Sequence, residues 1–139
     1  MERALELYQK ELDIWETLDQ EIDSVDIRLN LYLCYGRMGN IYEELGRQIN
    51  LERALEMFQK SLEVNEDVAQ ELDKDFAYDD LAVSYSQVAA CLPKGSEERQ
   101  RYLTQYLEQS EALFRKTQSR RYRNFIEKAR QLLGETEQQ

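Results

Sequence analysis

The side chains that most often carry chemistry in proteins are scarce in this chain of 139 residues, which has two cysteines and no histidine. Histidine is the commonest general base and the commonest nitrogen ligand of metals, so its absence removes both roles. Cys34 and Cys91 have no Cys-x-x-Cys spacing, which argues against a zinc site and a disulfide framework. Both lie among apolar neighbours, where a free thiol behaves as a small hydrophobic side chain. We therefore predict a protein that is not an enzyme, with no catalytic residue, no metal and no cofactor.

Two acidic pairs, Asp73/Asp75 and Asp79/Asp80, are the next candidates for a metal site. They lack the glycine and the ligand spacing of a calcium-binding loop. Aspartate near the start of a helix is favourable in its own right, because it offsets the positive end of the helix dipole. We interpret these pairs as solvated acidic helix ends.

Charge is distributed unevenly along the chain. Residues 1–114 carry a net charge of −14, whereas residues 115–130 carry +6, within a total of −10. Arg120, Arg121 and Arg123 could contact an anionic partner, with Tyr122 stacking on a base, so nucleic-acid binding is one alternative. The acidic remainder of the chain would repel nucleic acid. Three simpler interpretations stay open: a solvated helix face, a cationic partner for the acidic part of this chain, and contact with an acidic neighbour.

Composition predicts the fold class. Glycine and proline, which most tight turns require, number only 5 and 1, so an all-α fold is expected. The length suits a single domain of residues 1–139. No apolar run approaches the roughly 20 residues that cross a bilayer, and the first residues do not resemble a signal peptide. We expect a reduced, cytoplasmic setting, no membrane partner and no small-molecule substrate.

An internal repeat is the strongest signal in the chain. Shifting the sequence by 50 residues aligns residues 2–35 with residues 52–85, with 14 identities in 34 pairs. The best-matched segments are Glu2-Arg3-Ala4-Leu5-Glu6 and Glu52-Arg53-Ala54-Leu55-Glu56. Repetition at such a period indicates stacked units of secondary structure, each burying its apolar face on a neighbour.

Apolar residues recur at helical spacing within each unit, and turn residues separate the runs. Asn50 is a candidate N-cap of one helix, and Ser96 is a candidate first residue of another. Gly46 and Gly134 are candidate residues at which helices end. Short links favour antiparallel neighbours. The pattern predicts six helices, near residues 3–19, 25–45, 51–71, 76–91, 97–116 and 120–133.

The segment from Tyr35 to Gly46, with Gly39 and Tyr42 within it, resembles a tetratricopeptide repeat when followed by Ala54-x-x-x-Phe58-x-x-Ser61. Small residues at these positions let two helices approach closely, while the aromatic residues fill the space between them. This segment differs from the family pattern in the turn between the two helices of the repeat. About three extra residues, within Arg47–Asn50, are expected to lengthen that turn. The 50-residue period is similar to that of long-helix variants of the family.

The resemblance implies a short right-handed α-solenoid with a C-terminal capping helix. It divides the chain into a half repeat (1–23), a well-matched repeat (24–73), a degenerate repeat (74–117), the capping helix (118–134) and a flexible tail (135–139). Such repeats are binding scaffolds whose first helices line a concave groove for a peptide or helix of a partner protein. The implied groove residues are Leu33, Gly36, Asn40, Glu43, Glu44, Val83, Ser86 and Ala90. Members of the family that hold a peptide carboxylate need a lysine where this chain has Gly36, so we do not expect that activity.

The half repeat lacks a first helix, which suggests an uncovered apolar edge on the first helix of this chain. That edge would consist of Leu5, Tyr8, Leu12 and Trp15. Either the chain is the terminal part of a longer array, or a second copy covers the edge in a homodimer. A small acidic chaperone for a secreted or membrane-active client is a further alternative. Among the other aromatic residues, Tyr32, Tyr78 and Tyr102 are candidate contact residues.

Overall fold

The computed structural model describes residues 2–46 and 48–137, and every secondary-structure element in those ranges is an α-helix. The expected all-α class is therefore confirmed. The helices are α1 (Glu2–Glu21), α2 (Val25–Leu45), α3 (Gln48–Leu72), α4 (Asp75–Ala90), α5 (Glu97–Thr117) and α6 (Arg120–Glu137). By their contacts the residues form two compact units, Met1–Glu71 and Leu72–Gln139.

Two of the expected helix ends are present in the structure. Gly46 closes α2 in the left-handed conformation, with φ of 70°, and its N–H donates to the carbonyl oxygen of Tyr42. Only glycine adopts this conformation without a steric penalty from Cβ, which explains its position there. Ser96 caps α5, where its Oγ accepts a hydrogen bond from the backbone N–H of Arg99 at 3.1 Å.

Two other helix ends differ from the expectation. Helix α3 begins at Gln48, so Asn50 lies inside the helix, and the extra residues 48–50 lengthen α3 instead of the turn; Arg47 lies outside the described residues. Helix α6 continues through Gly134 to Glu137, so residues 135–137, which were expected to belong to the flexible tail, are helical, and residues 138 and 139 lie outside the described residues. Glycine closes a helix only where the chain must turn, and no turn is required at Gly134.

The first unit is organised around one apolar cluster. The α1 residue Leu12 packs with four residues of α2 in this cluster: Leu31, Cys34, Tyr35 and Met38. Partly buried side chains from α1, α2 and α3 pack against it: Leu5, Tyr8, Trp15, Tyr42, Met57 and Val64. Burying such side chains is the main favourable term in folding, so this cluster fixes which face of α1 meets α2.

The second unit buries one face of each of its three helices. On α5 the buried residues are Leu103, Tyr106, Ser110 and Leu113, spaced by three or four positions. Phe125 of α6 lies against Tyr106, with ring centroids 5.5 Å apart, and against Tyr122 at 5.7 Å. Tilted and edge-on aromatic pairs of this kind add to the burial energy, and the Tyr106–Phe125 pair joins α5 to α6.

Candidate partner-binding surfaces

The close packing of α2 on α3 positions the first candidate surface. Gly39 lies directly against the Phe58 ring: a Cβ on Gly39 would be 2.6 Å from Phe58 Cε1. Phe58 is 1% exposed, and the Oγ of the buried Ser61 donates to the carbonyl oxygen of Tyr32 at 3.3 Å. Small residues at these positions therefore bring the two helices together, and another face of α2 is turned outward.

That outward face of α2 carries the residues expected to contact a partner. Leu33 is 39% exposed, and Asn40, Glu43 and Glu44 are also exposed. Gly36 lies between Leu33 and Asn40, and a Cβ placed on it would meet nothing within 4 Å. No side chain therefore covers this face at Gly36. The apolar Leu33 precedes this open position, and polar and acidic residues follow it.

The second unit holds the three remaining residues of the expected groove, on α4. Val83 and Ser86 are half-buried and Ala90 is exposed. Ser86 Oγ donates to the carbonyl oxygen of Val83 at 2.7 Å, so this hydroxyl is already engaged within its own helix. Of these three residues, Ala90 is therefore the most accessible to a partner.

The expected exposed edge on α1 is wrong. Leu12 is 2% exposed at the centre of the first cluster, and Leu5, Tyr8 and Trp15 pack against that cluster. The expectation failed because the edge supplies the face with which α1 packs on α2. Three large apolar side chains are instead exposed on another face of the same segment: Leu7 (59%), Ile14 (61%) and Ile22 (49%). The internal repeat aligns Leu7 with Met57 and Ile14 with Val64. This alignment was the signal in the sequence that α1 has a second apolar face.

One arginine of the basic stretch at the start of α6, Arg121, is paired within its own unit. Arg121 donates to both oxygens of Asp79, from Nε at 2.7 Å and from Nη2 at 3.0 Å. The hydroxyl of Tyr122 donates to Asp79 Oδ2 at 2.8 Å, and Tyr122 is only 8% exposed. Tyr122 is therefore not available to stack on a base, as the nucleic-acid alternative would require. The interpretation of the stretch as a cationic partner for acidic residues of this chain fits Arg121 best.

The other two arginines of the stretch remain exposed. The guanidinium of Arg123 lies 5.6 Å from the centre of the Phe114 ring, and Arg120 is exposed at the start of α6. Arg123 also lines a depression of about 260 Å³ between α5 and α6 that contains Glu111 and Glu127. Arg115 and Arg130 also line the depression, so its two carboxylates only partly offset the attraction of its three arginines for an anion.

The carboxyl group of Asp79 is predicted to make the stability of the second unit depend on pH. Burial alone raises the pKa of this carboxyl group, but the hydrogen bonds from Arg121 and Tyr122 outweigh burial and lower the pKa below its usual value. A carboxyl group whose pKa is lower in the folded chain stabilises the fold above its unfolded pKa of about 3.9. That contribution is lost as the pH falls through the folded pKa.

We expect Asp79→Asn to lower the free energy of unfolding by about 1 kcal/mol at pH 7, because the exposure of Arg121 limits the value of the ion pair. The difference from the unsubstituted protein should shrink between about pH 5 and pH 2. Urea unfolding followed by helical circular dichroism measures both quantities. Glu108→Gln, an exposed change on α5, is the control and should show no such difference. An equal loss from Asp79→Asn at pH 7 and pH 2 would contradict the assignment.

The remaining candidate side chains are engaged in contacts within their own units. Burial and the nearby Glu11 carboxylate raise the pKa of the Cys34 thiol to about 11, so it stays protonated at neutral pH. The hydroxyl of Tyr78 donates to Asp73 Oδ1 at 2.7 Å, and Tyr102 lies 6.5 Å from Tyr85 between ring centroids. Tyr32 is half-buried.

Residues 2–46 and 48–137 contain no group of three or more His, Cys, Asp or Glu residues that could hold a metal ion.

None of the helices in the described ranges combines the length and apolar character needed to cross a membrane. Comparison of the chain with family models, with curated proteins and with solved structures finds no match.

Proposed function

We propose that this chain is a non-catalytic scaffold that binds a peptide or helix of a partner protein on the outward face of α2. In this proposal its helix pairs form a short right-handed α-solenoid of the tetratricopeptide-repeat type, and α4 supplies a second binding surface. The close Gly39–Phe58 packing supports the repeat assignment, because it is the contact that the small residues of such a repeat allow. The free cysteines Cys34 and Cys91 fit a reduced, cytoplasmic setting.

The observation that carries the proposal is the open position at Gly36. Its neighbours on the helix surface, Leu33 and Asn40, are exposed, while Cys34 and Tyr35 are buried and anchor the helix from behind. A partner side chain can therefore approach the backbone of α2 without displacing any side chain of this protein. Binding to a preformed surface avoids the entropic cost of ordering it.

The chemistry of this face indicates the kind of peptide that it would select. An apolar side chain would fit against Leu33 and Gly36, and a basic side chain would lie near the carboxylate of Glu44. Exposed carboxylates contribute more to the association rate and to specificity than to affinity. We therefore expect peptides that combine one apolar anchor with lysine or arginine.

Selection from a random peptide library displayed on phage tests this proposal. We expect the selected peptides to share such a pattern, and Asn40→Arg to raise the Kd of the best peptide at least about tenfold, which corresponds to 1.4 kcal/mol. The added side chain would cover the open position and repel a basic peptide. Fluorescence polarisation of the labelled peptide measures the Kd.

Gln70→Arg is the matched control, because it adds the same side chain at an exposed position of α3 in the same unit. The Kd for Gln70→Arg should stay within about twofold of the unsubstituted value. If no peptide is selected, or if Asn40→Arg binds the selected peptide as tightly as the control does, this face of α2 is not the binding surface.

A further inference from the structure

Helix α1 and the residue that follows it carry an apolar stripe, which we define as Leu7, Ile14, Leu18 and Ile22. Positions that differ by four or seven lie on one side of a helix, and the backbone N–H of Ile22 still donates to the carbonyl oxygen of Leu18 at 2.8 Å. Leu7, Ile14 and Ile22 are three of the six exposed large apolar side chains among the described residues. Isolated exposed apolar residues are ordinary, but a row of them on one helix face is typical of an interaction surface.

The internal repeat shows that the equivalent face of α3 is covered. A shift of 50 residues places Leu7, Ile14 and Leu18 on Met57, Val64 and Val68. Met57 and Val64 pack against the apolar cluster of the first unit, and Val68 is 1% exposed. The same positions are therefore apolar in both helices, but Leu7 and Ile14 of α1 are exposed, whereas Met57 and Val64 of α3 are half-buried.

Charged residues beside the α1 stripe indicate what would cover it. Lys10, Thr17 and Glu21 follow Leu7, Ile14 and Leu18 by three positions each, so they form one flank of the stripe. All three are exposed, and neither Lys10 nor Glu21 forms an ion pair with another described residue. The flank is thus basic towards the start of α1 and acidic at its end. A helix of the same sequence running in the opposite direction would complement both charges.

We propose that a second copy of this chain binds the α1 stripe, with the two α1 helices antiparallel about a two-fold axis. With Leu7 level with Ile22 of the second copy, Lys10 lies about 3 Å along the axis from Glu21 of the second copy, at 1.5 Å per residue. A two-fold axis forms this ion pair twice, once on each side of the centre. A parallel two-fold arrangement would instead place this flank of the two copies on opposite sides of the stripe, so Lys10 and Glu21 would not meet.

Solution mass measured by size exclusion with light scattering tests the dimer. We expect twice the chain mass of 16.6 kDa at high concentration, with dissociation on dilution. Ile14→Arg, at the centre of the stripe, should raise the dimer Kd at least about tenfold. Gln20→Arg, the same added charge at an exposed position of α1 outside the stripe, should leave it within about twofold. Circular dichroism checks that both variants keep their helix content.

Charge reversal tests the antiparallel orientation. Lys10→Glu and Glu21→Lys should each weaken the dimer about threefold or more, and the double variant should recover the original Kd, because the reversed charges again face each other. A chain that is monomeric at every concentration, or a dimer that Ile14→Arg does not weaken, would overturn the proposal. A double variant weaker than either single variant would overturn the antiparallel arrangement.

Discussion

Gly39→Ala is expected to lower the free energy of unfolding by about 1–3 kcal/mol, although alanine normally stabilises a helix interior by up to about 1 kcal/mol relative to glycine. The added Cβ would lie 2.6, 2.8 and 2.9 Å from three carbon atoms of the Phe58 ring. Phe58 is 1% exposed, so its ring cannot swing out into solvent, and close packing in the interior resists its movement. Helix α2 would have to shift away from α3, and the packing between them would loosen.

Gly36→Ala is the matched control for that result. It makes the same chemical change three positions earlier in α2, where the new Cβ meets nothing within 4 Å. We expect it to stabilise the protein by about 0.5–1 kcal/mol, because only the helix propensity changes. Urea unfolding of both variants under one set of conditions measures the opposite signs. Equal stabilisation by both variants would show that α2 and α3 do not approach closely at Gly39.

A second variant with a large expected effect is Leu12→Ala. Leu12 is 2% exposed and packs with four α2 residues in the first cluster, so its removal leaves a cavity there. We expect the free energy of unfolding to fall by about 2–5 kcal/mol. Because Leu12 holds α1 against α2, amide hydrogen exchange should accelerate most in α1.

Leu33→Ala, the same change at a side chain of α2 that is 39% exposed, serves as the control. It should cost less than about 1 kcal/mol, since little apolar surface returns to water. If Leu12→Ala lowers the free energy of unfolding only slightly and Leu33→Ala lowers it strongly, then Leu33 is the buried side chain and Leu12 is not. The proposed binding surface on α2 would then be part of the core.

The two glycines of α2 have different roles, and this difference connects stability to the proposed function. Gly39 is required where the helix meets Phe58, whereas Gly36 leaves the outward face open. A substitution at Gly36 that stabilises the fold could therefore still weaken peptide binding. Such opposition between stability and binding is common where a surface is kept open for a partner.

The sequence by itself determined the helical class and most helix boundaries. Helix periodicity and the scarcity of turn residues are local properties, and the closing residue Gly46 and the cap Ser96 act within a single turn of helix. The predicted start of α3 and the predicted end of α6 were wrong by three and four residues, because Asn50 and Gly134 fit both a helix interior and a helix end.

Only the tertiary structure decided which face of α1 is buried. Helix α1 carries two apolar faces, one containing Leu12 and the other containing Leu7 and Ile14, and helical periodicity does not distinguish them. Packing against α2 covers the first face and leaves the second exposed. The pairing of Arg121 with Asp79 likewise joins residues 42 positions apart. Such contacts depend on how helices meet in space, which no local pattern in the sequence specifies.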